Sequence, residues 1–253
     1  MLVAGIDTGQ QSVKAVLLED SEMVAHKTYE TEIDSDTAAR EALEDLLKEV
    51  GADRNRVKRI AATGLGRKEV SFADLRKTQE TCVARGAYFL LGRPCTALDA
   101  GAGGCRAVKI GPQGKVLEFS SNSKCASGTG SFLKAACEVL QIDLDRLDDL
   151  SGRAEDIAKV STTCAVFAES AIISNVHYGY TLESICAGVC DSVASRLMDA
   201  LNRVGIEEEL FFCGGVAKSK TIKRMIEHLT GRPVLVPSDP LLTAALGAAL
   251  SAV

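Results

Sequence analysis

One pattern occurs twice in this chain and limits its fold more than any other feature. Residues 2–7, LVAGID, predict a buried strand that ends in Asp7, a TGQQ turn follows, and SVKAVLLED predicts a second strand from Ser12. From Cys95 the same order returns: CTALDAGAGG is a strand with Asp99 and a glycine-rich turn, and CRAVKI and GKVLEFS follow as strands. Repetition of this kind indicates a duplicated structural unit. We therefore expect an α/β chain made of two copies of one βββαβα unit that face each other.

The turn after the first strand has residue types that bind phosphate. Gly9 allows close approach of the backbone, Ser12 can donate to a phosphate oxygen, and Lys14 can neutralise one. Asp7, at the end of the strand, can hold Mg²⁺ through water. An ordinary β-hairpin has the same outline, but an acidic residue before TG and a Ser/Lys pair exceed what a turn requires. The candidate nucleotide-binding residues of this turn are Gly9, Gln10, Gln11, Ser12 and Lys14.

The second copy and a later loop supply matching features. Asp99 corresponds to Asp7, and two mirrored carboxylates would bind a metal from one side and orient an attacking water from the other. The strand ELFFCGG ends in a glycine pair that opens a helix, a place where backbone N–H groups bind nucleotides. We expect a nucleotide in a cleft between the two copies. Its further candidate residues are Gly101, Ala102, Gly103, Gly214, Gly215, Ala217 and Lys218, the last near the base or ribose.

Two lone cysteines stand in similar polar surroundings. Cys125 in SKCASGTGSFL precedes Gly128, Thr129 and Gly130, which we predict to form a backbone nest for a phosphate of the nucleotide at the start of a helix. Cys164 in STTCAVFAES likewise follows small hydroxyl residues and precedes a helix-like run. Polar helix entries favour anions and the thiolate form that binds metals. Plain packing is the alternative, because free cysteine is often a core residue. We interpret Cys125 and Cys164 as metal ligands whose position is coupled to nucleotide binding.

The other cysteines are interpreted as packing residues. Nine cysteines without a secretion signal argue against a disulfide framework and for a reducing cytoplasm. Cys186 and Cys190 lie four apart on a predicted helix, a spacing that could hold a metal but that also fits an apolar stripe, which we prefer. Strand-like or helical runs contain Cys82, Cys95, Cys137 and Cys213.

Charge and hydropathy exclude two classes of partner. The net charge of −5 provides no basic field, so we expect no nucleic-acid partner. No apolar run approaches the roughly 18 residues of a membrane-spanning helix, so we expect no membrane partner. We place a domain boundary before Pro94. Residues 1–93, completed by a C-terminal helix at 240–253, form an N-terminal subdomain, and residues 94–239 form a C-terminal subdomain that carries the two candidate ligands.

Several helices are predicted from periodicity and punctuation. An acidic amphipathic helix runs from about Thr37 to Val50, and a long helix from about Thr181 to Val204. A helix of small residues begins near Pro240. The charged stretch QIDLDRLDDLSGRAEDIAK is interpreted as a solvated helical face without chemistry. Two further helices are predicted at 78–91 and 129–140.

The motifs GIDTGQQSVKAVLL, ATGLGR, SKCASGTGSFL, STTCAVFAESAIIS, GGVAKSK and PLLTAALGAAL follow one another along nearly the whole chain. In this order they resemble the ATP-dependent activators of 2-hydroxyacyl-CoA dehydratases, the ATPase subunits of benzoyl-CoA reductase and the reductases of double-cubane cluster proteins. The resemblance implies an actin-like ATPase fold of two domains. It also implies a homodimer that binds ATP or ADP with Mg²⁺ and holds one bridging [4Fe-4S] cluster through Cys125 and Cys164, which fits four thiolates per cluster.

The same resemblance implies what the protein does. ATP binding and hydrolysis would drive one electron into a partner iron–sulfur dehydratase or reductase, with ferredoxin or flavodoxin as the electron donor. The chain departs from the family where the usual DIGGQDSK is DAGAGGCR. Gly103 and Gly104 replace Gln and Asp, and Cys105 and Arg106 replace Ser and Lys. Hydrolysis is therefore expected to be slower, differently triggered, or assisted by other groups.

Two other functions fit the same fold. A small-molecule kinase would use Asp99 as the base toward a substrate hydroxyl and would turn over ATP without iron. A non-enzymatic actin-like assembly would form nucleotide-dependent filaments and would not need the two cysteines. Because one fold hosts many functions, the site must separate these alternatives.

Overall fold

The computed structural model describes residues 1–30, 34–122, 130–160, 165–206 and 209–253, with the backbone only at 165–168. The described chain divides into two compact units. The first contains residues 1–97, 108–118 and 237–253, and the second contains residues 98–107 and 119–236. The boundary expected before Pro94 stays a prediction.

The first sheet has five strands in the order β3-β2-β1-β4-β5. Strand β1 pairs with β2 in antiparallel and with β4 in parallel orientation, and β5 is parallel to β4. All seven residues of β1 are buried, which is typical of a central strand covered on both faces. The strands are β1 (Leu2–Thr8), β2 (Ser12–Glu19), β3 (Glu22–Glu30), β4 (Val57–Gly64) and β5 (Leu75–Arg76).

Helices cover both faces of this sheet. Because successive side chains of β1 point to opposite faces, they enter two different hydrophobic cores. Leu2, Ala4 and Ile6 belong to the hydrophobic core that includes residues of helix α1 (Ser35–Glu49). Val3 belongs to a second core that includes Ala245 and Ala249 of the C-terminal helix. Helix α1 begins earlier than predicted, because the Asp34 carboxylate caps it by accepting from the N–H groups of Asp36 and Thr37.

The second sheet repeats the first. Its order is β10-β9-β6-β7-β8, so that β6, β7, β8, β9 and β10 take the places of β1, β2, β3, β4 and β5. The last two strands are parallel, as β4 and β5 are. The duplication predicted from the two Asp-containing hairpins is therefore confirmed. The strands are β6 (Cys95–Ala100), β7 (Cys105–Ile110), β8 (Val116–Asn122), β9 (Leu210–Cys213) and β10 (Val234–Leu235).

The remaining helices are α2 (Gln79–Leu91), α3 (Gly130–Leu140), α4 (Leu144–Ser151), α5 (Ala165–His177), α6 (Leu182–Val204), α7 (Lys220–Thr230) and α8 (Thr243–Leu250). The long helix α6 supplies an apolar stripe to the core of the second unit. In the charged stretch only α4 is helical, so the helix is shorter than the stretch that was predicted to form a solvated helical face. Among the described residues, no helix has both the length and the apolar character needed to cross a membrane.

Candidate functional site

The first hairpin brings Asp7 and Lys14 together. The two residues are direct partners in the antiparallel pairing of β1 and β2, and Lys14 Nζ lies 3.8 Å from Asp7 Oδ2. Both residues are buried, with 5% and 9% of their surface exposed. Lys14 Nζ also lies 3.3 Å from the carbonyl oxygen of Ser12, so the ammonium group lies beside the turn. A buried cation beside a glycine-containing turn has the charge that a phosphate requires.

The turn itself is closed by one backbone hydrogen bond. The N–H of Gly9 donates to the carbonyl oxygen of Ser12 at 3.0 Å, and the intervening Gln10 and Gln11 are exposed. A Cβ added to Gly9 would lie 3.1 Å from Lys14 Nζ. Because Gly9 has no side chain, the Lys14 ammonium group is not covered from position 9.

The second hairpin repeats the ion pair and the backbone hydrogen bond of the first, at residues that lie 92 positions later in the sequence. The Asp99 carboxylate accepts from Arg106 Nη1 at 2.6 Å, and both side chains are buried. The N–H of Gly101 donates to the carbonyl oxygen of Gly104 at 3.0 Å, as that of Gly9 does to Ser12. Each hairpin therefore has an aspartate, a glycine two positions later and a cation seven positions later. Arg106 was not predicted as the partner of Asp99, although the seven-residue spacing that it shares with Lys14 and Asp7 indicates the pair.

The two turns differ in what they expose. The first carries Gln10, Gln11 and Ser12, whereas the second carries the half-buried Ala102 and Gly103. A Cβ added to Gly101 would meet no atom of the described residues within 4 Å, and its φ lies outside the left-handed region. Neither packing nor backbone conformation therefore requires glycine at position 101. The second turn presents mainly backbone groups to whatever binds there.

Helix α3 is attached to the second turn by its first residues. The N–H of Gly130 donates to the carbonyl oxygen of Gly101 at 2.9 Å, and the N–H of Ser131 donates to that of Ala102 at 3.2 Å. A Cβ on Gly130 would lie 3.3 Å from Ala102 Cα, so the backbones are in close contact. A displacement of the second turn would therefore act directly on the N-terminus of α3.

The glycine pair after β9 opens a short 3₁₀ turn, Gly215–Lys218. The N–H of Ala217 donates to the carbonyl oxygen of Gly214 at 3.1 Å, and Lys218 is exposed. Asp148 of α4 holds the end of this turn by accepting from Ser219 Oγ at 2.5 Å and from the N–H of Thr221 at 3.0 Å. The predicted nucleotide loop is therefore held by side-chain bonds from a neighbouring helix.

The predicted ligand cysteines, Cys125 and Cys164, lie outside the described residues, as do Gly128 and Thr129. The six cysteines interpreted as packing residues are all buried, which confirms that interpretation, and Cys105 is buried too. Burial raises the pKa of Cys82 and of Cys190 to about 12, and that of Cys137 and of Cys186 to about 11. Within the described ranges, no group of three or more His, Cys, Asp or Glu side chains could hold a metal ion.

Comparisons with known proteins agree with this arrangement. The BadF/BadG/BcrA/BcrD ATPase family matches residues 4–252. The activator of lactoyl-CoA dehydratase from Anaerotignum propionicum is 37% identical over 253 residues, which cover 100% of this chain and 97% of the relative. The solved activator of the 2-hydroxyisocaproyl-CoA dehydratase from Clostridium difficile, with bound ADPNP, has a TM-score of 0.92 at 34% identity. That alignment covers 100% of this chain and 94% of the other.

A second solved structure gives the same result. Component A of the (R)-2-hydroxyglutaryl-CoA dehydratase from Acidaminococcus fermentans has a TM-score of 0.94 at 30% identity, covering 100% of this chain and 97% of the other. The expected actin-like ATPase fold is therefore confirmed. With full-length matches and paired Asp-containing hairpins, this chain belongs to the BadF/BadG/BcrA/BcrD ATPase family.

Proposed function

We propose that this protein is an ATP-dependent activator that passes a low-potential electron to a partner iron–sulfur dehydratase or reductase. The observation that carries the proposal is the full-length similarity to proteins named as dehydratase activators. A relative from Thauera aromatica, named as one of the subunits of benzoyl-CoA reductase, is 33% identical over 98% of this chain. The name of this relative supports a reductase as the second kind of partner enzyme in the proposal.

In this proposal the two hairpins bind Mg²⁺ and the phosphates of ATP. Mg²⁺ is usually held by one or two carboxylates together with phosphate oxygens, and Asp7 and Asp99 supply carboxylates at two strand ends. Lys14 supplies positive charge beside the first turn, and the backbone of Gly101 and its neighbours lets a phosphate approach closely. ADPNP bound in the similar Clostridium difficile structure supports nucleotide binding by this chain. The residues present thus fit a magnesium nucleotide.

The attachment of α3 to the second turn supports coupling between nucleotide and cysteines. Gly130 and Ser131 are bonded to Gly101 and Ala102, and Cys125 lies only five positions before Gly130 in the sequence. A change of the second turn between ATP and ADP would be transmitted through these bonds toward the segment that carries Cys125. The two lone cysteines of each of two copies would hold one [4Fe-4S] cluster, which supplies one-electron chemistry when bound.

Iron analysis of the anaerobically reconstituted protein tests this function. We expect four irons and four sulfides per two chains, a dimeric mass, and loss of the iron in Cys125→Ala and in Cys164→Ala. Cys137→Ala is the matched control, because its thiol is buried in the core, and it should retain iron. Retention of iron in both ligand variants would contradict the ligand assignment. ATP turnover that needs a small substrate and no iron would favour a kinase instead.

Thiol counting of the iron-free protein provides a control for these variants. The seven described cysteines are buried, and burial raises the pKa of four of them to about 11 or 12. Because the thiolate is the reactive form, these thiols should react slowly near pH 8. Rapid labelling is therefore expected only at Cys125 and Cys164.

A Gly101→Ala substitution tests the proposed approach of phosphate to the second turn. Since the added methyl group meets no described atom within 4 Å, the stability of the nucleotide-free protein should change by less than about 0.5 kcal/mol. The methyl group would instead separate the turn from the phosphate. We expect ATP affinity to fall about tenfold, equivalent to about 1.4 kcal/mol. Titration with a fluorescent ATP analogue and thermal unfolding measure the two effects, and unchanged affinity would contradict this placement of the phosphate.

A further inference from the structure

Gly64 packs directly against the Asp7 carboxylate. It is the last residue of β4, which runs parallel to β1, and its φ of +91° is one that side chains rarely adopt. A Cβ at this position would lie 2.6 Å from Asp7 Oδ1 and 2.4 Å from the carbonyl oxygen of Thr8. Only glycine leaves room for the carboxylate oxygen here.

Gly214 has the same relation to the Asp99 carboxylate in the second unit. It follows β9, the counterpart of β4, and its φ is +85°. A Cβ at Gly214 would lie 2.7 Å from Asp99 Oδ1 and 2.4 Å from the carbonyl oxygen of Ala100. The distance from the added Cβ to the carboxylate oxygen and the distance to the carbonyl oxygen each agree within 0.1 Å between the two units. The glycines nevertheless occur in unlike sequences, ATGLGR and CGGVAK.

We infer that Gly64 and Gly214 are positioning residues that hold the two site carboxylates in a fixed orientation toward Mg²⁺. In each unit the glycine contacts Oδ1, while the cation of the hairpin lies on the side of Oδ2: Lys14 for Asp7 and Arg106 for Asp99. A carboxylate confined on both sides loses little further rotational freedom when it binds a ligand. The inference rests on the proposed function, because it requires Asp7 and Asp99 to serve a magnesium nucleotide.

The loop that contains Gly64 is itself fixed to β1. The Thr8 hydroxyl donates to the carbonyl oxygen of Thr63 at 3.0 Å, and the N–H of Gly66 donates to the carbonyl oxygen of Thr8 at 3.2 Å. Arg67 Nη1 donates to the carbonyl oxygen of Gly64 at 2.8 Å. These bonds prevent the glycine from moving away from the carboxylate, as a fixed orientation requires.

A left-handed glycine does not by itself produce such a contact. Gly92, at the end of α2, has a φ of +71°, but a Cβ there would meet no described atom within 4 Å. Gly51, Gly179, Gly205 and Gly231 have the same combination of positive φ and open surroundings. Gly92→Ala is therefore a matched control that introduces the backbone strain of an alanine at positive φ without any contact with a carboxylate.

Calorimetric titration of Mg²⁺ into the ADP-loaded protein tests the inference. We expect Gly64→Ala to bind Mg²⁺ about 10- to 100-fold more weakly than the unsubstituted protein, the loss typical when a residue that orients a ligand is altered. ADP affinity without Mg²⁺ should change less than about twofold, since the phosphate contacts are not touched. Gly92→Ala should match the unsubstituted protein in both titrations, and Gly214→Ala should repeat the loss of Mg²⁺ affinity.

Equal Mg²⁺ affinity in Gly64→Ala and Gly92→Ala would overturn the inference. If the unsubstituted protein bound no Mg²⁺ with ADP, the proposed function itself would fail. Should Gly64→Ala not fold, the double variant with Asp7→Ala decides, because it removes the carboxylate that the new methyl group meets. If the double variant folds and Gly64→Ala does not, the inference is supported. Failure of both variants to fold would show that the Thr8 carbonyl demands the glycine, and would overturn it.

Discussion

Replacement of Asp99 by asparagine is expected to lower the rate of ATP turnover by about 100- to 1,000-fold, within the range for loss of a group that positions or activates water. Asparagine has the shape of aspartate, so the contact with Gly214 is kept. The negative charge is lost, and with it the attraction to Mg²⁺ and the ion pair with Arg106. Steady-state kinetics with ATP, together with equilibrium binding of ADP, separate the loss of turnover from any loss of affinity.

A buried ion pair that loses one partner also destabilises a protein, by about 3–5 kcal/mol in typical cases. The double variant Asp99→Asn with Arg106→Gln removes the uncompensated charge and should recover much of that stability without recovering turnover. Asp199→Asn, an exposed aspartate on α6, controls for the change in net charge and should turn over ATP normally. Recovery of turnover in the double variant would show that Asp99 acts through stability alone.

The duplicated sheet could be predicted because it depends on short-range patterns. The apolar run before Asp7 and the one before Asp99 each end in a glycine-containing turn, and the three strands at the start of each sheet, β1 to β3 and β6 to β8, pair with their neighbours in sequence. Helix α6 was predicted within about one residue at each end. Thr181 caps it, and its apolar stripe has a clear helical period.

Other boundaries depend on capping bonds that composition does not reveal. Asp34 extends α1 to Ser35, ahead of the predicted start at Thr37. The C-terminal helix begins at Thr243 and not at Pro240, since the Asp239 carboxylate accepts from the N–H of Leu241 and forms a turn there. Local side-chain bonds of this kind compete with helix formation.

The candidate site was predicted only in part because its contacts join distant parts of the chain. The acidic residues and turn glycines could be identified from the hairpin pattern. The contact between Gly64 and Asp7 could not, since 57 positions separate them and only the parallel pairing of β1 with β4 brings them together. Arg106 was read as a departure from the family's lysine, whereas the structure shows that it forms the same kind of ion pair as Lys14.

Substitution of Gly247 by alanine is expected to be among the most destabilising single changes in this protein. A Cβ on Gly247 would lie 1.7 Å from the carbonyl oxygen of Cys82 in α2, well inside any possible contact distance. Alanine would gain about 1 kcal/mol in helix propensity over glycine. That gain is smaller than the cost of separating two packed helices, which we place at about 3 kcal/mol or more. Urea unfolding of the nucleotide-free protein measures the difference, with Gly101→Ala as a control whose stability should not change.

The effect is expected to be large because α8 cannot move to relieve the clash. On its other side α8 lies on Gly5 of β1, where a Cβ would lie 2.1 Å from the carbonyl oxygen of Ala245. The contact with α2 is also reciprocal: a Cβ on Gly86 would lie 2.1 Å from the carbonyl oxygen of Thr243. Gly86→Ala and Gly247→Ala therefore force the same separation of α2 from α8. The Gly86→Ala and Gly247→Ala double variant should lose less stability than the sum of the single losses, and strict additivity would contradict a shared contact.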